Sequence, residues 1–405
     1  MKLALIRRQF SATGGAELYL QRLMAALVDG GHEIHLFAES WGKPPANVAL
    51  HPVAVSGSRA RRPVRFAEMV QGELARHAFD CVFSLERTLK QDVYRAGDGV
   101  HRVWLERRRQ FAPWWKRPFI GRGAFHRNML ALEAQTFDPT NTRRIIVNSE
   151  MVKREILQHF RFPEERIHLV RNGVEGKRFQ SGKRAETRAR FGIKDDEFLL
   201  LFVGSGWERK GLRYVVKALQ SLQFLLLTQT VEEIMQSMES ILLHTVETAK
   251  RVLSGKPGAL PLELPIRNKQ VKLLVVGKGR TWDAVNANAM FAGSMPDVEN
   301  AYAAADLFVM PPIYEPSSNV VLEALAAGLP VITSIYNGAS EFIEDQCNGS
   351  VVDDPADPEA LRDAILFWMA HHPIKAGVSN YDLSLERNVI ETAGVLELAA
   401  QEKRG

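Results

Sequence analysis

Cysteine is nearly absent. The chain has two in 405 residues, Cys81 and Cys347, far apart. Two cysteines in distant apolar contexts read as reduced and structural, which excludes a disulfide scaffold and fits the cytoplasm. Long hydrophobic runs are missing too. Phe198 to Val203 and Leu273 to Val276 are strand-length, far short of the roughly 18 residues of a membrane-spanning helix. MKLALIRRQF opens with a very short apolar run followed by Arg7 and Arg8, the wrong order for a secretory signal. No Cys/His cluster has metal-ligand spacing, and there is no nucleophile elbow or P-loop.

What is present is the balance of a globular protein, 46% apolar and 24% charged, with a length that suits two domains. The charge is uneven. Residues 1–170 hold 27 Lys+Arg against 17 Asp+Glu, and the remainder holds 25 against 30. A basic half implies an anionic partner: nucleic acid, an anionic membrane or a phosphorylated acceptor. No nucleic-acid module motif is present, which argues against the first.

Strand-like runs alternate with helical spacing, the signature of βαβ units and parallel sheets. Lys2 to Ile6, FDCVFS (79–84) and RRIIVN (143–148) form one series. LLLFVG (199–204), VKLLVVG (271–277), LFVMPP (307–312) and PVITS (330–334) form a second, apolar enough to be buried on both faces. The turn signal Arg171-Asn172-Gly173 divides them. The expected organisation is a domain over 1–170, a second over 171–380 interrupted by an inserted helix or hairpin over about 224–266, and a helix over 381–405.

Three motifs carry chemistry. In PPIYEPSSNVVLEALAAGLPVITS (311–334), Glu315 lies in a loop after a strand. A helix begins near Ser318, with Glu323 about one and a half turns in. Helix N-termini suit a diphosphate, and a carboxylate can accept two vicinal ribose hydroxyls. An ordinary crossover with two solvated glutamates is the plainer alternative, and the pairing of both at this spacing disfavours it. In FVGSGWERKG (202–211), Arg209 and Lys210 stand at a helix start, where two cations neutralise a departing diphosphate. Gly14-Gly15 after the first strand allows close backbone approach by a ligand, and is equally compatible with a plain turn.

Together these motifs resemble the family-4 retaining glycosyltransferases of the GT-B fold. VNS (147–149), RNGVE (171–175) and VVGKG (275–279) extend the resemblance over nearly the whole chain. It implies an α/β architecture of two Rossmann-like domains facing a cleft, with the C-terminal helix crossing back to the N-terminal domain. It also implies a UDP-sugar donor, no metal or other cofactor, and retention of anomeric configuration. Arg209 and Lys210 would bind the donor diphosphate, Glu323 the ribose and Glu315 the donor sugar. Gly14, Gly15, Ser318 and Asn319 would complete the donor contacts. Asp98, Lys210 and Glu315 would be the catalytic set.

GGAELYL (14–20), HLFAESW (35–41) and QDVYRAGDGVHRVWLERR (91–108) resemble the members that glucosylate the inner-core heptose of lipopolysaccharide. There Asp98 and His101 are the acceptor-side candidates, Asp98 the better match. The sequence departs from the family pattern in Ser317-Ser318-Asn319, where a glycine is common, and after Gly279, where it is shortened. The base-recognition loop near Arg280 to Gly293, and with it the nucleotide, stays open. So do transfer of another sugar, epimerisation, and a non-catalytic sugar-nucleotide-binding protein, although Arg209, Lys210, Glu315 and Glu323 together argue against the last.

HRVWLERRRQFAPWWKRPFIGRGAFHR (101–127) has eight Lys/Arg and one acid, interleaved with aromatics. Trp104, Arg107, Arg108, Arg109, Trp114, Trp115, Lys116 and Arg117 fit a peripheral contact with an anionic membrane, at the inner face where a lipid-linked saccharide acceptor is presented. The competing reading packs these aromatics inward.

Overall fold

The computed structural model describes residues 1–9, 15–42, 44–228, 235–236, 239, 270–279, 288–371 and 382–404. Strands β1 (Lys2–Ile6), β2 (Glu33–Ala38), β3 (Val48–Pro52), β4 (Cys81–Ser84), β5 (Gln91–Arg95), β6 (Thr142–Val147) and β7 (Ile167–Leu169) form one sheet. Strands β8 (Phe198–Val203), β9 (Val271–Val276), β10 (Ala289–Gly293), β11 (Leu307–Met310), β12 (Val331–Ser334) and β13 (Gly349–Val352) form another. The orders are β3-β2-β1-β4-β5-β6-β7 and β10-β9-β8-β11-β12-β13, and every strand pairing is parallel.

Each sheet therefore has the doubly wound order, with a switch point between β1 and β4 in the first and between β8 and β11 in the second. Ligands of such sheets bind beyond the carboxyl ends of the strands at that point. The central strands are buried on both faces, as Phe198–Val203 is throughout, because helices cover both sides of a parallel sheet.

The last helix, Leu385–Arg404, returns to the first sheet. Its Val395, Leu396, Ala399 and Ala400 share a core with Leu3, Leu5, Cys81 and Ile146. Glu402, Lys403 and Arg404 pair with Arg144, Asp92 and Asp80. The expected helix after residue 211 runs over 212–228, so it enters the stretch read as an insertion. The remainder of that stretch lies outside the described residues except 235–236 and 239, as do 280–287 of the expected base-recognition loop. Cys81 is buried, but Cys347 is exposed, in contrast to the apolar context expected for both. Cys347 lies in the turn that leads into edge strand β13, which leaves it on the surface.

Candidate active site at the two switch points

The loops after β8 and β11 flank the second switch point. Gly204 (φ 143°) and Gly206 (φ 76°) turn the chain out of β8. A Cβ on Gly204 would lie 2.7 Å from Lys210 Nζ, so the lysine lies directly across it. Arg209 and Lys210 do not start the long helix, as the motif suggested. They end a four-residue turn, Trp207–Lys210, and Gly211 (φ 81°) separates it from helix 212–228. Gly211 is pressed so closely on the end of β11 that a Cβ would meet the Pro311 carbonyl at 1.9 Å. The Ile313 amide donates to the Arg209 carbonyl at 2.9 Å. This seam brings Arg209 Nη2 to 3.2 Å from Glu315 Oε2, with the arginine 38% and the glutamate 12% exposed. The contact is an ion pair and not an aligned hydrogen bond.

Glu315 is held by its backbone. Its amide donates to Tyr336 O and its carbonyl accepts from Gly338 N, both at 2.8 Å. Ser318 precedes helix Asn319–Ala326 without a side-chain cap, and its amide donates to Asn337 Oδ1 at 3.3 Å. Asn319 Oδ1 accepts from Asn172 Nδ2 at 2.8 Å. Four residues into that helix, Glu323 Oε2 accepts from Tyr302 Oη at 2.7 Å. Burial raises the Glu323 pKa, while Tyr302, Arg178 and Lys210 act against the rise. Arg209, Lys210, Glu315, Ser318, Asn319 and Glu323 thus all belong to the loops and helix that follow β8 and β11.

On the first sheet, Gly14 lies outside the described residues and Gly15 opens helix Gly15–Asp29. Asp98 is exposed in the turn after β5. Gly99 (φ 67°) closes that turn, and its carbonyl accepts from Arg87 Nη2 at 2.7 Å. His101 begins helix His101–Gln110, and its ring is engaged elsewhere. It stacks on His126 at 5.2 Å between centroids, with Nε2 3.0 Å from His126 Nδ1. Burial, with Arg87 and His126 nearby, lowers its pKa to about 4, so the ring is neutral at pH 7. Of the two acceptor-side candidates Asp98 is exposed and His101 is half-buried.

Several site-forming residues went unread in the sequence because their partners are distant. Ser149 caps helix Glu150–His159, and its hydroxyl also donates to Pro316 O at 2.6 Å. Gly338 fits against both, with no room for a side chain. Asn172 accepts from Arg95 and donates to Ser317 O. Tyr314 and Glu155 join across the two halves. Ser149 in VNS and turn-forming Asn172 in RNGVE were the signals among these; a lone Tyr or Glu carries none.

The basic aromatic stretch divides. Trp114, Trp115 and Phe119 are 76%, 56% and 71% exposed, and Lys116 and Arg117 are exposed beside them. Trp104 is turned inward, contrary to its expected membrane role, because its helix lies between the two cores and its ring packs 6.3 Å from that of Tyr314. Arg107 stacks over Tyr336 at 4.4 Å, Arg108 lies 3.9 Å from Glu208, and Arg109 donates to Ile120 O. Among the described residues, no helix is long and apolar enough to cross a membrane.

The family model described as Glycosyltransferase Family 4 matches residues 13–178, and that described as Glycosyl transferases group 1 matches 260–371. The chain is 26% identical over 376 residues to the lipopolysaccharide glucosyltransferase WaaG of Escherichia coli strain K12, covering 89% of this chain and 88% of that protein. It is 24% identical over 379 residues to the D-inositol 3-phosphate glycosyltransferase of Paenarthrobacter aurescens strain TC1, covering 86% and 84%. The crystal structure of WaaG, a glycosyltransferase involved in lipopolysaccharide biosynthesis, has the same fold, with a TM-score of 0.70 at 23% identity over 99% of this chain and 98% of that one. So does that of Anabaena Alr3699/HepE in complex with UDP and glucose, at 0.61 and 15% over 99% and 95%. The two parallel sheets and these likenesses agree: the chain belongs to the family-4 glycosyltransferases of the GT-B fold.

Proposed function

We propose that this protein moves glucose from UDP-glucose, with retention, onto a lipid-linked saccharide, the heptose of the lipopolysaccharide inner core. The observation that carries the reading is the Arg209–Glu315 pair at the second switch point, 3.2 Å apart. It sets a cation beside a partly buried carboxylate, and Tyr314 and Pro316 on either side of Glu315 lie against Gly99 of the exposed Asp98 turn.

In this reading Arg209 and Lys210 hold the diphosphate and neutralise the charge that grows on it as the bond from sugar C1 to phosphate oxygen breaks. The start of helix Asn319–Ala326, at Ser318 and Asn319, adds its positive dipole end. Glu323 accepts the ribose hydroxyls and Glu315 faces the sugar. Gly14 and Gly15 let the donor approach the first sheet, and Asp98 orients the acceptor hydroxyl, whose oxygen forms the new bond to C1 while its proton passes to the departing diphosphate oxygen. No metal or other cofactor is needed, since two side-chain cations supply the charge. The enzyme acts in the cytoplasm, resting on the anionic inner face of the membrane through Trp114, Trp115, Lys116 and Arg117.

The test is incubation with UDP-glucose and lipopolysaccharide truncated at its inner-core heptoses. A gain of one hexose by mass, α-linked by NMR, supports the reading. Transfer from another nucleotide sugar instead would reassign the donor, and UDP binding without any transfer would make the chain a binding protein.

A further inference from the structure

Tyr314 directly precedes Glu315, yet its side chain ends inside the other half of the molecule. It is 1% exposed and packs with Tyr94, Val100, Val103, Val152 and Ile156. Its hydroxyl accepts from Val100 N at 2.8 Å and donates to Glu155 Oε2 at 2.7 Å. Val100 is two residues beyond Asp98. Between them, a Cβ on Gly99 would lie 2.3 Å from Tyr314 Oη and 2.8 Å from Pro316. The Asp98 turn and the tyrosine hydroxyl are thus fitted with no space left for a side chain, and both hydrogen-bonding capacities of a buried hydroxyl are used.

We propose that Tyr314 is a positioning residue whose hydroxyl sets the Asp98 turn on the acceptor side against the Glu315 loop on the donor side. The proposal rests on the transferase reading above and deepens it. A reaction between two bound substrates depends on their relative placement, and an error of about 1 Å costs up to about 100-fold in rate. The Tyr314 hydroxyl bonds only to Val100 N and Glu155 Oε2, neither of them among the donor-binding residues, so donor binding is insensitive to it. The loop keeps its other anchors, Ser149 on Pro316 and Asn172 on Ser317, so removing one oxygen leaves the fold and the contact between the halves in place.

The experiment compares Tyr314→Phe, Glu155→Gln and Glu155→Leu in the full chain, with UDP-glucose and heptose-terminated lipopolysaccharide as substrates. Tyr314→Phe is expected to lower kcat about tenfold and leave the KM for UDP-glucose within about twofold. Hydrogen exchange at the Val100 amide should accelerate by about tenfold or more, since its acceptor is gone. Glu155→Gln keeps an oxygen that accepts from the tyrosine and should stay within about threefold of wild type, whereas Glu155→Leu should match Tyr314→Phe. Wild-type kcat in Tyr314→Phe, or unchanged exchange at Val100, overturns the proposal while the transferase reading stands. A wild-type chain that transfers no sugar from any nucleotide donor overturns that reading, and the proposal with it.

Discussion

Tyr302 and Glu323 meet across 2.7 Å, the phenol donating to Oε2 from within the core. One carboxylate oxygen is therefore fixed by the protein, and the carboxylate's orientation is set before any ligand arrives. Glu323→Ala is expected to weaken UDP binding by roughly tenfold or more, because each hydrogen bond to a charged group contributes about 1.5–3 kcal/mol. Tyr302→Phe should weaken it less, by about threefold. Titration calorimetry with UDP, with and without EDTA, measures both. Unchanged affinity in Glu323→Ala removes the ribose role, and loss of wild-type binding in EDTA removes the metal-free one.

Arg209→Ala and Lys210→Ala should each depress turnover strongly while costing no more than about 0.5 kcal/mol of stability, since both side chains are partly exposed. The two differ in one respect. Arg209→Ala also takes the cation away from Glu315, which is only 12% exposed, so it should affect the sugar step more than Lys210→Ala does. Steady-state rates beside thermal melts of the two variants decide this; full activity in both would end the diphosphate assignment.

Glu155 gives a dependence on pH. Burial raises its pKa to about 7, with the Tyr314 hydrogen bond and Arg107 acting the other way. Its folded value lies above its unfolded one, so its contribution to stability is fully present below about pH 4.5. That contribution is lost as pH rises to about 7, in total on the order of 3 kcal/mol. Glu155→Gln should remove this part of the slope. Urea denaturation of both proteins at pH 5 and pH 8 measures it, and equal slopes would rule Glu155 out as its source.

Vesicles containing anionic lipid should bind the protein reversibly, and salt should release it. Each Lys or Arg at the surface contributes about 1 kcal/mol. Replacing Trp114 and Trp115 by Ala together with Lys116 and Arg117 by Gln should abolish co-sedimentation and leave the melting temperature nearly unchanged. Trp104→Ala should do the opposite, because its ring is packed between the cores. Binding that ignores lipid charge would refute the electrostatic account.

The central strands were legible because a strand buried on both faces must be apolar throughout, as FLLLFV is. Edge strands β3 and β10 were not, since they lack a buried face that would impose a pattern. Strand β5, QDVYR, is wholly buried yet polar. Its Asp92 is paired with Arg143 and Lys403, and Arg95 with Asn172. Such satisfaction depends on residues up to 311 positions away and leaves no local trace. The same limit explains His101 and Trp104. Their types suggested a ligand and a membrane, while His126 and Tyr314 had already claimed them. The glutamate pair was readable because both members belong to one loop and one helix.

The return of helix Leu385–Arg404 to β4, β5 and β6 has a consequence for how the molecule is made. During synthesis the strands holding Leu3, Leu5, Cys81 and Ile146 emerge first, but the residues that seal their face, Val395 to Ala400, emerge after some 390 others. Until then this apolar face stands open to chaperones and to neighbouring chains. The whole second half lies between them in the chain, so the first reaches its final packing only after the second has been made. A shortened chain that stops before Leu385 should therefore aggregate through its earliest strands, although every one of them is present.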